Sequence, residues 1–96
     1  MPLVLGMNLD KDNEIWIDDL RITLDKIKSP TQTDITIHGE YVIEKKVINS
    51  HGWMDITHNA KMKLGTDTNR DGFCRVLVDA PKSVKIERGL LRNGAS

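Results

Sequence analysis

The stretch RVLVDAPKSVKIER, residues 75–88, carries the plainest architectural signal in the chain. Taken with Phe73 and Cys74 before it, it places Cys74, Val76 and Val78 on one side and Arg75 and Leu77 on the other. That is the period-two alternation of a strand with one buried face. Ala80-Pro81-Lys82 ends the strand, because proline has no N–H to offer a ladder. Val84 and Ile86 then alternate with Lys85 and Glu87 in a short final strand. Two strands about a proline break put the chain in the β class.

Upstream the same period recurs. Leu3, Leu5, Met7 and Leu9 alternate with Val4, Gly6 and Asn8 in a half-buried first strand. A polar turn at 10–13 leads to a second strand over 14–17, stopped by Asp18-Asp19. A third follows, with Leu20, Ile22 and Leu24 on one face and Arg21, Thr23 and Asp25 on the other. The short gap between the second and third strands suits a tight hairpin. Ser29-Pro30 breaks the pattern, and residues 29–71 read as a block of their own character. In that block Ile35 and Ile37 alternate with Thr36 and His38, and His38-Gly39-Glu40 reads as a turn. A Val/Ile-rich run covers 41–48, Asn49 to Gly52 is a further turn, and a strand starts at Trp53. Residues 59–71 are polar and poorly patterned, and the stretch at 60–64 is too short for a stable helix. No internal repeat is evident. The tail, 92–96, reads as flexible.

Ninety-six residues make one core, and a hydrophobic fraction of 39% with only two Trp, one Tyr and one Phe makes it a modest one. Oligomerisation is a natural way to complete it. Fourteen basic and fourteen acidic residues cancel, which excludes the strongly basic field of a non-specific nucleic-acid binder. Any such contact must come from a local patch. A lone cysteine, Cys74, permits no intrachain disulfide and fits a reducing cytoplasm. No apolar run reaches membrane-span length and the start lacks signal-peptide features, so a cytoplasmic location without membrane contact is expected.

Residues 75–88 resemble the last two strands of the carbon storage regulator (CsrA/RsmE-like) family. That pattern is a strand with arginine near its start, then Asn/Asp-Ala-Pro-Lys, then a strand ending in arginine. Leu3-Val4-Leu5, Glu14 to Asp19 and Leu20 to Ile27 resemble its first three strands. The resemblance covers residues 1–28 and 72–91, about half the chain, in matching order. It implies an all-β fold: an intertwined CsrA-like homodimer of five core strands per chain, here with 29–71 inserted as a small β meander between the third and fourth strands. It also implies RNA binding at GGA motifs of an mRNA or small regulatory RNA, and hence translational regulation. The RNA would lie where the first strand of one subunit meets the last strand of the other. Arg88 matches the main RNA-contacting arginine, Leu5 a first-strand leucine at the RNA surface, and Ile86 a last-strand valine. Lys82 and Lys85 would assist. Cations to fix phosphates beside a strand edge suit single-stranded RNA.

The chain also departs from that pattern. A basic residue is usual after the first-strand leucine, where Gly6, Met7 and Asn8 stand here. Met7→Arg would restore one. Loss of a phosphate contact lowers the salt slope by about one. Gly89, Asn93 and Gly94 make a poor terminal helix. Lys45, Lys46, Lys61 and Lys63, with Tyr41 and Trp53 for stacking, are a compensating set. The plainer reading is a solvated lysine face around a small aromatic core. A protein-interaction module, using 29–71 to dock a partner and no longer binding RNA, is the alternative function. Such a module could pair with an ordinary regulator of this fold, and a compact regulator with an insertion would suit a phage.

Other chemistry is weaker. Asp67, Asn69 and Asp71 followed by Gly72 match half of a calcium loop, but its twelfth position is Val78 rather than glutamate. His38, His51, His58 and Cys74 show no compact zinc spacing. No nucleophile–base pair or phosphate loop stands out, so neither an enzyme nor a cofactor is expected.

Overall fold

The computed structural model describes residues 2–65 and 72–89. Nine strands follow one another: β1 (Leu3–Asn8), β2 (Glu14–Ile17), β3 (Leu20–Ser29), β4 (Gln32–His38), β5 (Ile43–Asn49), β6 (Met54–Thr57), β7 (Ala60–Leu64), β8 (Phe73–Asp79) and β9 (Ile86–Arg88). They form two antiparallel sheets, ordered β1-β8-β7-β6 and β5-β4-β3-β2-β9. The all-β class and the proline-bounded strand pair around residue 80 agree with the sequence reading. Among the described residues no helix is long and apolar enough to cross a membrane.

Alternation builds the core. Met7, Ile15, Ile22, Leu24, Ile35, Ile48, Met62, Leu64, Cys74 and Val76 are fully buried, and all belong to one cluster between the sheets. Each strand gives its even or its odd positions to that cluster and turns the others outward. The expected hairpin is present. Ile17 pairs with Leu20 across a two-residue turn, and Asp18 adopts a left-handed backbone at φ 52°. Aspartate tolerates that conformation better than most residues. The same turn also receives β9, because the Asp18 N–H donates to the Lys85 carbonyl at 2.7 Å and the Lys85 N–H donates to Asp18 Oδ1 at 2.9 Å.

Three sequence expectations are revised. Residues 60–64, read above as part of a polar, poorly patterned stretch, form β7 with Ala60, Met62 and Leu64 buried. These three alternate strictly with Lys61 and Lys63, the period-two signature of a half-buried strand, and the polar residues that follow them dilute that signal over a longer window. Residues 29–71 do not project as an appendage. β4 pairs along the length of β3, and β7 pairs with β8, so the block supplies inner strands to both sheets. Nor do its aromatics form a small core: Tyr41 is 90% exposed and Trp53 39%. The expected calcium residues Asp67, Asn69 and Asp71, and the tail 92–96 read as flexible from the sequence, lie outside the described residues.

Candidate nucleic-acid interface

The first and last strands meet along one seam. β1 is the outer strand of one sheet and β9 the outer strand of the other. β9 is held against β2 by pairs Ile15↔Arg88, Trp16↔Glu87 and Ile17↔Ile86. From there Arg88 reaches across, and its Nη1 donates to the Gly6 carbonyl at 2.7 Å and to Asp12 Oδ2 at 2.8 Å, passing Met7 Sδ at 3.9 Å. Within a single chain, therefore, Arg88 meets Gly6 and Met7 of β1, and Ile86 stands two residues before it on β9.

The side chains of the expected site do not all face the solvent. Leu5 is 8% exposed and Met7 fully buried, since both occupy the inward positions of β1. This corrects the assignment of Leu5 to the RNA surface, and of Met7 to the RNA-binding set as the place of a family cation; the outward positions of β1 belong to Val4, Gly6 and Asn8. Val4 is 51% exposed and Leu3 44%, leaving an apolar lip at the start of the strand. Gly6 leaves room for the Phe73 ring, since a Cβ there would lie 3.1 Å from it and the ring would have to give slightly. Ile86 is half-buried and leans on the core. The exposed cations of the predicted set are Lys82 and Lys85, on the approach to β9. Lys85 Nζ stands 3.6 Å from Glu87 with its side chain 71% exposed.

Arg88 is the most constrained member. Its side chain is 34% exposed and that of Asp12 11%. Asp12 Oδ1 is buried without a hydrogen-bond partner, so the guanidinium is the principal compensation for a largely desolvated carboxylate. Arg88 thus clamps β9 onto β1 and the β1–β2 turn, and only its outer edge is available to a ligand. Its acidic partner, Asp12, lies at the other end of the chain, and no local pattern indicates it. Directly after β9, a Cβ on Gly89 would sit 2.5 Å from Glu14 Cβ, so this exit demands glycine.

A second polar array, unnoticed in the sequence, covers the outer face of the five-stranded sheet. Trp16 Nε1 donates to Glu14 Oε1 at 3.0 Å, and Arg21 Nη1 lies 3.5 Å from Glu14 Oε2. Arg21 Nη2 donates to His38 Nδ1 at 3.2 Å, which leaves the ring hydrogen on Nε2, 3.2 Å from Thr23 Oγ1. Thr23 and Thr36 both donate to Asp25. The outward alternation of Arg21, Thr23 and Asp25 placed these groups on one face, but only the register of β4 beside β3 joins them to His38 and Thr36.

In the block 29–71, Lys63 Nζ lies 5.2 Å from the centroid of Trp53, a cation–π contact. Lys46 is 3.5 Å from Glu44. Neither lysine lies on the β1–β9 seam. Cys74 is buried, and desolvation pushes its thiol up to about 11, away from nucleophilic use. Among the described residues no group of three or more His, Cys, Asp or Glu side chains is placed to hold a metal ion. No family model, curated protein or solved structure matches the chain.

Proposed function

We propose that this protein is an RNA-binding post-transcriptional regulator that engages single-stranded GGA-type motifs along the β1–β9 seam. The observation that carries the reading is the Arg88–Gly6 contact, which brings the Ala-Pro-Lys-bounded last strand against the first strand. The resemblance described above motivates the choice of RNA. Around the seam a base could rest on the Leu3–Val4 lip while Lys82, Lys85 and the outer edge of Arg88 meet phosphates. With no net charge on the chain, recognition would rest on fit more than on field.

The test is a gel-shift titration with a GGA hairpin at low salt, where charge attraction is least screened. Lys85→Ala and Lys82→Ala should each weaken binding and lower the salt slope by about one. Arg88→Lys should weaken it further, because a point charge replaces a planar fork. Absence of binding by the unaltered protein at low salt would reject the proposal.

One observation favours a different reading. Tyr41, Val42 and Ile43 are 90%, 56% and 68% exposed at the head of β5, the outer strand of the five-stranded sheet. Consecutive exposed apolar residues on a sheet edge are a docking feature for another protein. A protein-interaction module that uses this edge would not shift the GGA hairpin even at low salt, and its partner contact would be lost in Ile43→Lys.

A further inference from the structure

We infer that residues 3–38 and 44–79 are two copies of one four-strand unit, fused in tandem and closed around each other, so that the protein is complete as a monomer. The registers make the case. β1 meets β8 through Leu3↔Val78, Leu5↔Val76 and Met7↔Cys74. β5 meets β4 through Glu44↔Ile37, Lys46↔Ile35 and Ile48↔Thr33. β3 meets β4 through Ile22↔Ile37 and Leu24↔Ile35, and β7 meets β8 through Met62↔Val78 and Leu64↔Val76. Replacing β1, β2, β3 and β4 by β5, β6, β7 and β8 converts each set of pairs into the other. The displacement is about 40 residues throughout, within the range of a structural repeat.

Local details travel with the register. The turn Ile17-Asp18-Asp19-Leu20 is matched by Thr57-His58-Asn59-Ala60, each closing a strand pair with two residues. Asn8 Oδ1 accepts from the Asp10 N–H at 3.0 Å, and its counterpart Asn49 Oδ1 accepts from the His51 N–H at 2.9 Å. Buried positions coincide as well: Met7 with Ile48, Ile22 with Met62, Leu24 with Leu64, Thr33 with Cys74 and Ile35 with Val76. The residue types differ at most of these sites, which is why the sequence shows no repeat. What is shared is which backbone position points inward.

The two copies exchange their first strands. β1 of the first copy completes the sheet of the second, and β5 of the second completes that of the first. Such an exchange ordinarily needs two chains. Here the residues between His38 and Ile43 join the copies covalently, so the partner surface is already filled.

The copies differ at one point. β9 follows the second copy alone and lies outside β2; among the described residues no strand lies outside β6. Composition tracks that asymmetry. Leu5 is buried on the strand whose Gly6 carbonyl Arg88 of β9 reaches, while its counterpart Lys46 is exposed. The molecule therefore carries one seam of the β1–β9 kind rather than two.

Static light scattering and a cleavage experiment on the full chain test the inference. The expected mass is that of one chain, 10.9 kDa, at every loading. A protease site placed at Glu40–Tyr41 should be cut without loss of the β-sheet circular-dichroism spectrum, the two fragments co-eluting one to one until urea is added. A stable two-chain mass before cleavage, or fragments that separate while each stays folded, would overturn it. Neither readout involves RNA, so failure of the proposed function would show separately, as a monomer that does not shift a GGA hairpin.

Discussion

β1 and β5 hold matching places in the two sheets and have been used differently. β1 has two buried side chains, an apolar lip, and a neighbouring strand whose arginine caps one of its carbonyls. β5 has a single buried anchor, Ile48, and presents Glu44, Lys45 and Lys46 outward. Lysines on a sheet edge discourage strand addition. The difference teaches that a single inward residue, Ile48, suffices to seat β5, where β1 uses both Leu5 and Met7. The remaining positions are then free to become a seam in one case and a solvated edge in the other.

The sharpest way to break the comparison is to place an arginine in each strand, at a buried site of β1 and at the exposed, already cationic Lys46 of β5. Met7→Arg, attractive from the sequence as a restored RNA contact, should bury a cation in the core and cost several kcal/mol, enough to abolish the cooperative thermal transition. Arginine in place of Lys46, at an exposed site, should leave the midpoint within about 0.5 kcal/mol of the unaltered protein. Equal effects from the two changes would remove the distinction drawn between the strands.

Truncating the anchors comes next. Met7→Ala and Ile48→Ala should each cost about 2–5 kcal/mol in urea unfolding, since both leave a cavity at a fully buried site. Arg88→Ala should cost about 1–3 kcal/mol by leaving Asp12 desolvated and alone, and most of that loss should vanish in an Asp12→Ala background. Thr33 supplies a smaller, opposite effect. Its Oγ1 is buried without a hydrogen-bond partner, and its counterpart is the weakly polar Cys74. Thr33→Val should therefore stabilise by about 1 kcal/mol.

The smallest effect at neutral pH concerns Cys74 itself. Burial raises its thiol from 9.0 to about 11, so the folded state holds this proton more tightly than the unfolded state does. Its contribution is then constant below pH 9 and declines as pH rises toward 11. Unfolding midpoints measured across that interval should fall less in Cys74→Ala than in the unaltered chain.

Strands with clean alternation were legible from the residues alone. Val76 and Val78, or Ile22 and Leu24, announce both the strand and its buried face. β7 carries the same alternation, Ala60, Met62 and Leu64 against Lys61 and Lys63, but over only five residues beside a long polar stretch, where it is easily passed over. The seam was legible only as far as its members: the motif around Pro81 drew attention to Arg88, Lys85 and Ile86. Their environment depends on contacts between residues far apart in the chain, such as Arg88 with Asp12, which periodicity does not report. Burial of Leu5 and Met7 follows from the same alternation that defines β1, and the choice of face decides whether such a residue meets solvent or core.

The pairing of β1 with β8 has a consequence for how the chain is made. β8 leaves the ribosome only after all the strands between it and β1 have been made, so the edge of β1 that pairs with it must wait for them. Contacts this distant along the chain slow folding, and exposed nascent strands invite aggregation. Gly6 and the polar Asn8 and Asp10 keep that waiting segment short and poorly suited to self-association, which would favour late, all-at-once closure when the closing strands emerge.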